Sequence, residues 1–301
     1  MSTLTTAGRG AAATAADAAC RVLGRRTVIR AARYVLLRAR LDYPNHMSVN
    51  GEPALQRWAL ALAPGGEVHV ADVGANVGHW SRSLLAAASA ADRAGDIRLH
   101  AFEPDVSAYA ELERSLGTTR AVLNAAALSD RPGESAFHVV APGAGTNSLH
   151  RAPGVTAATE TVRTSTLDAY AAEAGIPCFA LVKIDTEGHD LAVLRGARGL
   201  LAGHRVAVVQ FEYNHRWVFA RAFLRDAFDL LAGLGYRVGK LTPMGVEFYP
   251  GWDPDLETFV EGNYVACDPV AAERLPAVRW WKARLRATPE EYSLHSLCCS
   301  Q

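Results

Sequence analysis

A doubly wound α/β sheet, mostly parallel and about seven strands wide, is predicted by three observations. From Val68 onward, short apolar runs alternate with helical segments, the order that builds a parallel sheet with helices on both faces. Several of these runs end abruptly in glycine or an acid, at the carboxyl edge where open α/β sheets bind their ligands. Half of the 301 residues are apolar, enough for one large core.

Residues 1–15 are Ala-, Thr- and Gly-rich and are expected to lack fixed structure. Val22, Ile29 and Leu36 then recur at seven-residue spacing with arginines between them, which predicts a helix over 16–41, ended by Pro44-Asn45. A second helix is expected over 53–62, closed by Pro64-Gly65-Gly66. Strands are expected at 68–73, 97–102, 120–127, 179–184, 206–211, 236–241 and 257–266, with helices at 78–91, 106–116, 190–201 and 219–234. Residues 135–140 and 160–166 alternate apolar and polar side chains, as a hairpin insertion does. Between them, 141–159 is a long Gly-, Pro-, Ser- and Thr-rich loop, the kind that often serves a site. Residues 270–292 read as helical. The expected organisation is a basic helical extension at 1–60, an α/β domain at 61–268 and a helical extension at 269–301.

Formal net charge is zero, but residues 1–40 hold eight arginines and one acid, Asp17, a local balance of +7. A neutral whole lacks the basic footprint of a nucleic-acid binder. The basic N-terminal helix is a candidate for docking on a partner or a membrane surface, against the simpler reading of a solvated face. Five cysteines form no CxxC pair, so neither a disulfide framework nor a zinc site is expected, and a cytoplasmic location fits. No run approaches the roughly 18 apolar residues of a membrane span.

Three motifs carry chemistry. The first is Val70-Ala-Asp72-Val-Gly74-Ala-Asn76-Val-Gly78. A strand ends in an acid, and a Gly-x-x-x-Gly turn opens a helix. Glycine there lets the backbone turn sharply and approach a ligand. The third glycine of GxGxxG, which seats a pyrophosphate, is missing, so the expected ligand has no phosphate. Asp72 is placed to meet an amino group on it. The second is Phe102-Glu103-Pro104, 25 residues past Gly78. An acid at the end of the next strand accepts hydrogen bonds from both ribose hydroxyls of an adenosine. The third is Lys183-Ile-Asp185-Thr-Glu187-Gly-His189-Asp190. A strand end rich in acids, with one histidine, suits proton abstraction, although Asp185 or Thr186 also suits capping of the next helix.

With Asn124-x-x-Ala-Leu-Ser129 and Thr166-Leu-Asp168, these motifs stand in an order and spacing that resembles the FkbM family of methyltransferases, over about 68–267. The resemblance implies a Rossmann-like methyltransferase core and S-adenosylmethionine as donor. It implies O-methylation of a hydroxyl on a small-molecule acceptor such as a natural product, sugar or lipid-like compound. By the same likeness Asp72, Gly74, Asn76, Gly78 and Glu103 line the cofactor site, and Asn124 lies near the adenine.

His189 has the side chain whose ordinary pKa best suits a general base at neutral pH, with Asp185 orienting it or acting in its place. Asp185, Glu187 and Glu212 can alternatively hold a divalent ion such as magnesium through oxygen ligands, but nothing in their spacing demands one. Phe211–Trp217 is expected to wall the acceptor pocket. Two other readings are weighed. Tyr236 and Lys240 have the Tyr-x-x-x-Lys spacing of a nicotinamide oxidoreductase, but the residues between them read as a strand, which sets the pair apart. A non-catalytic adenosyl-binding or scaffolding protein is the other, against which the acids of 185–190 argue.

Overall fold

The computed structural model describes residues 6–283. Two helices lead: α1 (Thr6–Leu23) and α2 (Arg25–Ala39). They replace the single helix expected from residue 16. The alanine run of 11–19 holds helix well before that point, since alanine is the best helix former, and Gly24, at φ 81°, breaks the rod. Of the stretch expected to be unstructured, residues 1–5 lie outside the described residues. The next helix, α3 (Glu52–Leu62), buries Leu55, Ala59 and Leu60 in one of the two main apolar clusters. It packs against α4 and β7.

The body continues with β1 (Val68–Val73), α4 (His79–Ala90), β2 (Ile97–Phe102), α5 (Val106–Leu116), β3 (Val122–Asn124) and β4 (Ala127–Leu128). Then come β5 (Gly133–Val139), β6 (Ala158–Ser165), α6 (Leu167–Glu173), β7 (Phe179–Ile184), α7 (Asp190–Gly196), α8 (Arg198–Ala202) and β8 (Val206–Tyr213). The described part of the chain closes with α9 (Leu224–Gly233), β9 (Arg237–Thr242), β10 (Gly245–Phe248), β11 (Gly262–Cys267), α10 (Pro269–Arg274) and β12 (Ala277–Val278).

The main sheet runs β12-β10-β9-β11-β8-β7-β1-β2-β3. It has nine strands where seven were expected; the two additions, β10 and β12, extend one edge. From β8 to β3 the pairs are parallel, while β11 enters antiparallel between β8 and β9. Neighbouring residues face opposite sides of the sheet: Leu181 packs in one apolar cluster and Val182 in the other. The expected hairpin is present as β5 and β6, which β4 joins in a second sheet of three strands. At the C-terminal end helix is confined to α10, and β12 follows it; the remainder of the expected helix, from 284, lies outside the described residues.

Strand order reverses at β1. The chain steps outward from β1 to β2 and β3, then returns to lay β7 on the other side of β1. At such a switch point the carboxyl ends of adjacent strands diverge and leave a crevice for a ligand.

Candidate functional site

The crevice begins with the turn after β1. Gly74 has φ 76°, and a Cβ there would lie 1.9 Å from the carbonyl oxygen of Asp185 at the end of β7. Only glycine lets β1 and β7 end this close together. The Gly74 and Ala75 amides both donate to the carbonyl of Phe102, each at 3.0 Å, which ties the turn to β2. Asn76 and Gly78 also have positive φ, 48° and 86°. A Cβ on Gly78 would come within 2.9 Å of Leu112 on α5, so this glycine serves the packing of α4 on α5.

Glu103 closes the other side of the turn. One carboxylate oxygen accepts from the Asn76 amide at 2.8 Å and the other from the Asp105 amide at 2.8 Å. Asp105 in turn caps α5, accepting from Ser107 and Ala108. Burial pushes the Glu103 carboxyl up to about 7, although both backbone amides oppose the shift.

Asp72 has another task. It pairs in register with Lys183 across β1 and β7, is fully buried, and meets Lys183 Nζ at 3.2 Å and the Ser81 hydroxyl at 2.6 Å. Lys183 also donates to the Gly74 carbonyl at 3.0 Å and lies 3.4 Å from Asp185. Burial works against the lysine's charge, but Asp72 and Asp185 outweigh it and raise its pKa.

Between these groups lies a cavity of about 230 Å³. Gly74, Asn76, Glu103 and Pro104 form one wall, and Ala126–Leu128 with Phe137 another. The 141–159 loop roofs it with Gly145, Asn147 and Leu149. Asn147 is the loop's pin: its side-chain amide donates to Asp105 at 2.6 Å and to the Ala141 carbonyl at 2.8 Å.

Asp185, Thr186, Glu187 and His189 line the remaining end. Glu187 sits at φ 55°, held there by the Ser148 hydroxyl on its carbonyl at 2.9 Å and by Arg216 on its carboxylate at 2.7 Å. Burial first, then the charge of Asp185, hold the Glu187 carboxyl above its ordinary range against the pull of Arg216. His189 has both ring nitrogens engaged, Nε2 with Ser129 Oγ and Nδ1 with His150 Nε2, each at 2.9 Å. Burial, then His150, lower its pKa to about 4, so the ring is neutral at physiological pH.

The sequence of this chain matches the methyltransferase FkbM domain over residues 72–238. The chain belongs to the FkbM methyltransferase family. No curated protein matches it. Similar solved structures include a precorrin-6y C5,15-methyltransferase from Geobacter metallireducens, 14% identical, covering 72% of this chain and 87% of that one at a TM-score of 0.36. A TehB-like SAM-dependent methyltransferase from Corynebacterium glutamicum is 12% identical and covers 79% and 96%, with a TM-score of 0.34. A SAM-dependent methyltransferase from Agrobacterium tumefaciens is 9% identical and covers 72% and 61%, with a TM-score of 0.39.

In this FkbM chain, six of the residues singled out in the sequence converge on the cavity: Gly74, Asn76, Glu103, Asp185, Glu187 and His189. Four do not line it. Asp72 is spent on Lys183 and Ser81, so it shapes the turn from beneath. Gly78 packs helices. The Asn124 side chain donates to the Ala101 carbonyl at 3.0 Å and pins the edge strand, while Ala126–Leu128 reach the cavity instead. Glu212 is buried behind the acidic end, accepting from Asn45 at 2.8 Å and Asn214 at 2.6 Å. Asp185, Glu187 and Glu212 bring carboxylate oxygens within 4.8 Å of one another. Each also has a protein partner: Lys183 for Asp185, Arg216 for Glu187, and the two asparagines for Glu212. Tyr236 and Lys240 go separate ways, the tyrosine hydroxyl to the Val206 carbonyl and the lysine to Asp42.

Ser129, His150, Asn147 and Asn45 had not been singled out. Ser129 alone carried a signal, as the last residue of the Asn124–Ser129 motif. Asn147 and His150 lie in the 141–159 loop and Asn45 in the Pro44-Asn45 helix stop, segments the sequence marks as a whole without marking these side chains.

Proposed function

We propose that this protein transfers a methyl group from S-adenosylmethionine to a hydroxyl of a small-molecule acceptor. One observation carries the reading: the Gly74 turn and the Glu103 carboxylate meet at one edge of the cavity through the Asn76 amide, a cradle with a ribose acceptor and no phosphate seat. Glu103 keeps a free lone pair on each oxygen for the two ribose hydroxyls. Ala126–Leu128 and Phe137 offer the apolar walls that an adenine ring needs. When bound, the donor supplies a methyl group activated by its sulfonium.

The chain's own groups then do two things. The far wall holds the acceptor oxygen in line, and such positioning lowers a barrier by roughly 7–11 kcal/mol in good cases. A carboxylate takes the hydroxyl proton. We assign that proton to Glu187 in preference to His189, because both imidazole nitrogens are committed, to Ser129 and His150, whereas Glu187 lines the cavity with only one carboxylate oxygen on Arg216. His189 positions the strand end, and Asp185 keeps Lys183 oriented under the turn.

Calorimetry with S-adenosylhomocysteine tests the donor site, with NADPH as the contrasting ligand. A mass-spectrometric screen of hydroxylated metabolites for the gain of one methyl group tests the reaction. Tight binding of NADPH and none of S-adenosylhomocysteine overturns the reading.

A further inference from the structure

We infer that α2 is a docking element for an anionic lipid bilayer. Ile29, Ala32, Leu36 and Ala39 recur at three- and four-residue intervals, the spacing that gathers them on one side of a helix, and Val35 flanks them. The larger of them are open to solvent: Ile29 is 59%, Val35 65% and Leu36 57% exposed. No α2 residue is buried. An apolar stripe this bare on a described helix lacks the partner that normally covers it.

The charge around the stripe says what covers it. Between Asp17 and Asp42 the chain has seven arginines and no acid. Arg26, Arg30 and Arg33 share one flank of the stripe and Arg38 lies on the other. Among the described residues Arg25, Arg26, Arg30 and Arg33 have no ion-pair partner, so the arm is not neutralised by the acidic body. A second copy of α2 laid on the stripe would set arginine against arginine. A surface of anionic headgroups over an apolar interior satisfies both features: the stripe enters the acyl boundary and the guanidinium groups stay among the phosphates. No described helix is long and apolar enough to cross a membrane, so the contact lies in the plane of the surface.

The root of this arm is fixed to the body next to the site. Lys240 Nζ binds the Arg40 carbonyl and the Asp42 carboxylate, each at 2.6 Å. Asn45 reaches Glu212 at 2.8 Å. A bilayer held by α2 is therefore tethered through a short, hydrogen-bonded segment to the acidic end of the cavity.

The test uses the full chain and sedimentation with sucrose-loaded vesicles, either of phosphatidylcholine alone or of phosphatidylcholine mixed with phosphatidylglycerol. Expected is binding to the mixed vesicles at least about tenfold tighter than to the neutral ones, weakening as salt rises. Charge reversal in Arg26→Glu/Arg30→Glu/Arg33→Glu lowers the affinity by roughly 100-fold. Ile29→Asp/Leu36→Asp lowers it by at least about tenfold. Binding of S-adenosylhomocysteine stays unchanged in both variants, which separates this outcome from a failure of the donor site. The inference is overturned by equal sedimentation with both vesicle types, by no sedimentation, or by vesicle binding that both variants retain. It is also overturned if light scattering shows a concentration-dependent dimer that the Ile29→Asp/Leu36→Asp variant abolishes while vesicles bind neither form.

Discussion

Replacing Glu103 with alanine separates the two jobs assigned to this carboxylate. Its first job is architectural: both oxygens accept a backbone amide at 2.8 Å, and Glu103 is only 6% exposed. Glu103→Ala strands the Asn76 and Asp105 amides, at a cost of about 1–3 kcal/mol for each buried donor left unpaired. The lower half of that range applies because Asn76 and Asp105 both line the cavity, so the expected loss is about 2–4 kcal/mol and the melting point falls by roughly 3–6 °C. The second job is ligand recognition. Two hydroxyl donors to a charged acceptor are worth about 1.5–3 kcal/mol each, so S-adenosylhomocysteine binds at least about 100-fold more weakly. Differential scanning calorimetry reads the first loss and titration calorimetry the second. Glu103→Gln refines the test, since its amide group opposes one backbone N–H while its oxygen still serves the other, and about half of the stability loss is expected. If Glu103→Ala melts lower but binds S-adenosylhomocysteine as tightly as the unmodified protein, the ribose assignment is refuted and Glu103 is a clamp only.

Three further outcomes follow from the same geometry. Gly74→Ala places a methyl 1.9 Å from the Asp185 carbonyl oxygen and abolishes S-adenosylhomocysteine binding, whereas Gly154→Ala, also at positive φ but with nothing within 4 Å, costs only about 1–2 kcal/mol; equal losses by thermal melt refute the steric argument. Donor-site affinity rises roughly tenfold between about pH 6 and pH 8, because Glu103 must shed a proton held up to about 7 by burial; titration calorimetry measures this, and Glu103→Ala removes the dependence. The sign for stability is opposite: a carboxyl raised in the folded state binds more protons than in the unfolded chain, so its contribution declines as pH climbs from about 4.5 to about 7. Once an acceptor is found, Glu187→Gln lowers kcat by about 10²–10⁴-fold with donor affinity retained, and His189→Asn lowers it less; the reverse order returns the proton to His189.

Legibility followed burial. Strands β1, β2 and β7 read correctly to their ends because strands covered on both faces are apolar at most positions, and the same runs located the crevice. The short β10 and β12 were invisible, since four and two residues carry no period. What the sequence leaves unread at the site has one cause. Sequence locates a residue at a strand end but not which neighbour claims its side chain. Asp72 lies at the expected edge, yet the register of β1 against β7 sets it opposite Lys183, and an ammonium buried between strands takes the nearest carboxylate before any ligand can. His189 is claimed by Ser129, 60 positions away, and His150, 39 away, partners that only the folded hairpin and loop bring near. Glu103 is held differently: its partners are the backbone amides of Asp105, in its own turn, and of Asn76, 27 positions away in the turn after β1, and two backbone donors leave a carboxylate half its lone pairs. A motif acid held by backbone amides therefore keeps lone pairs to spare, whereas one paired with a buried side-chain cation supports the turn from below.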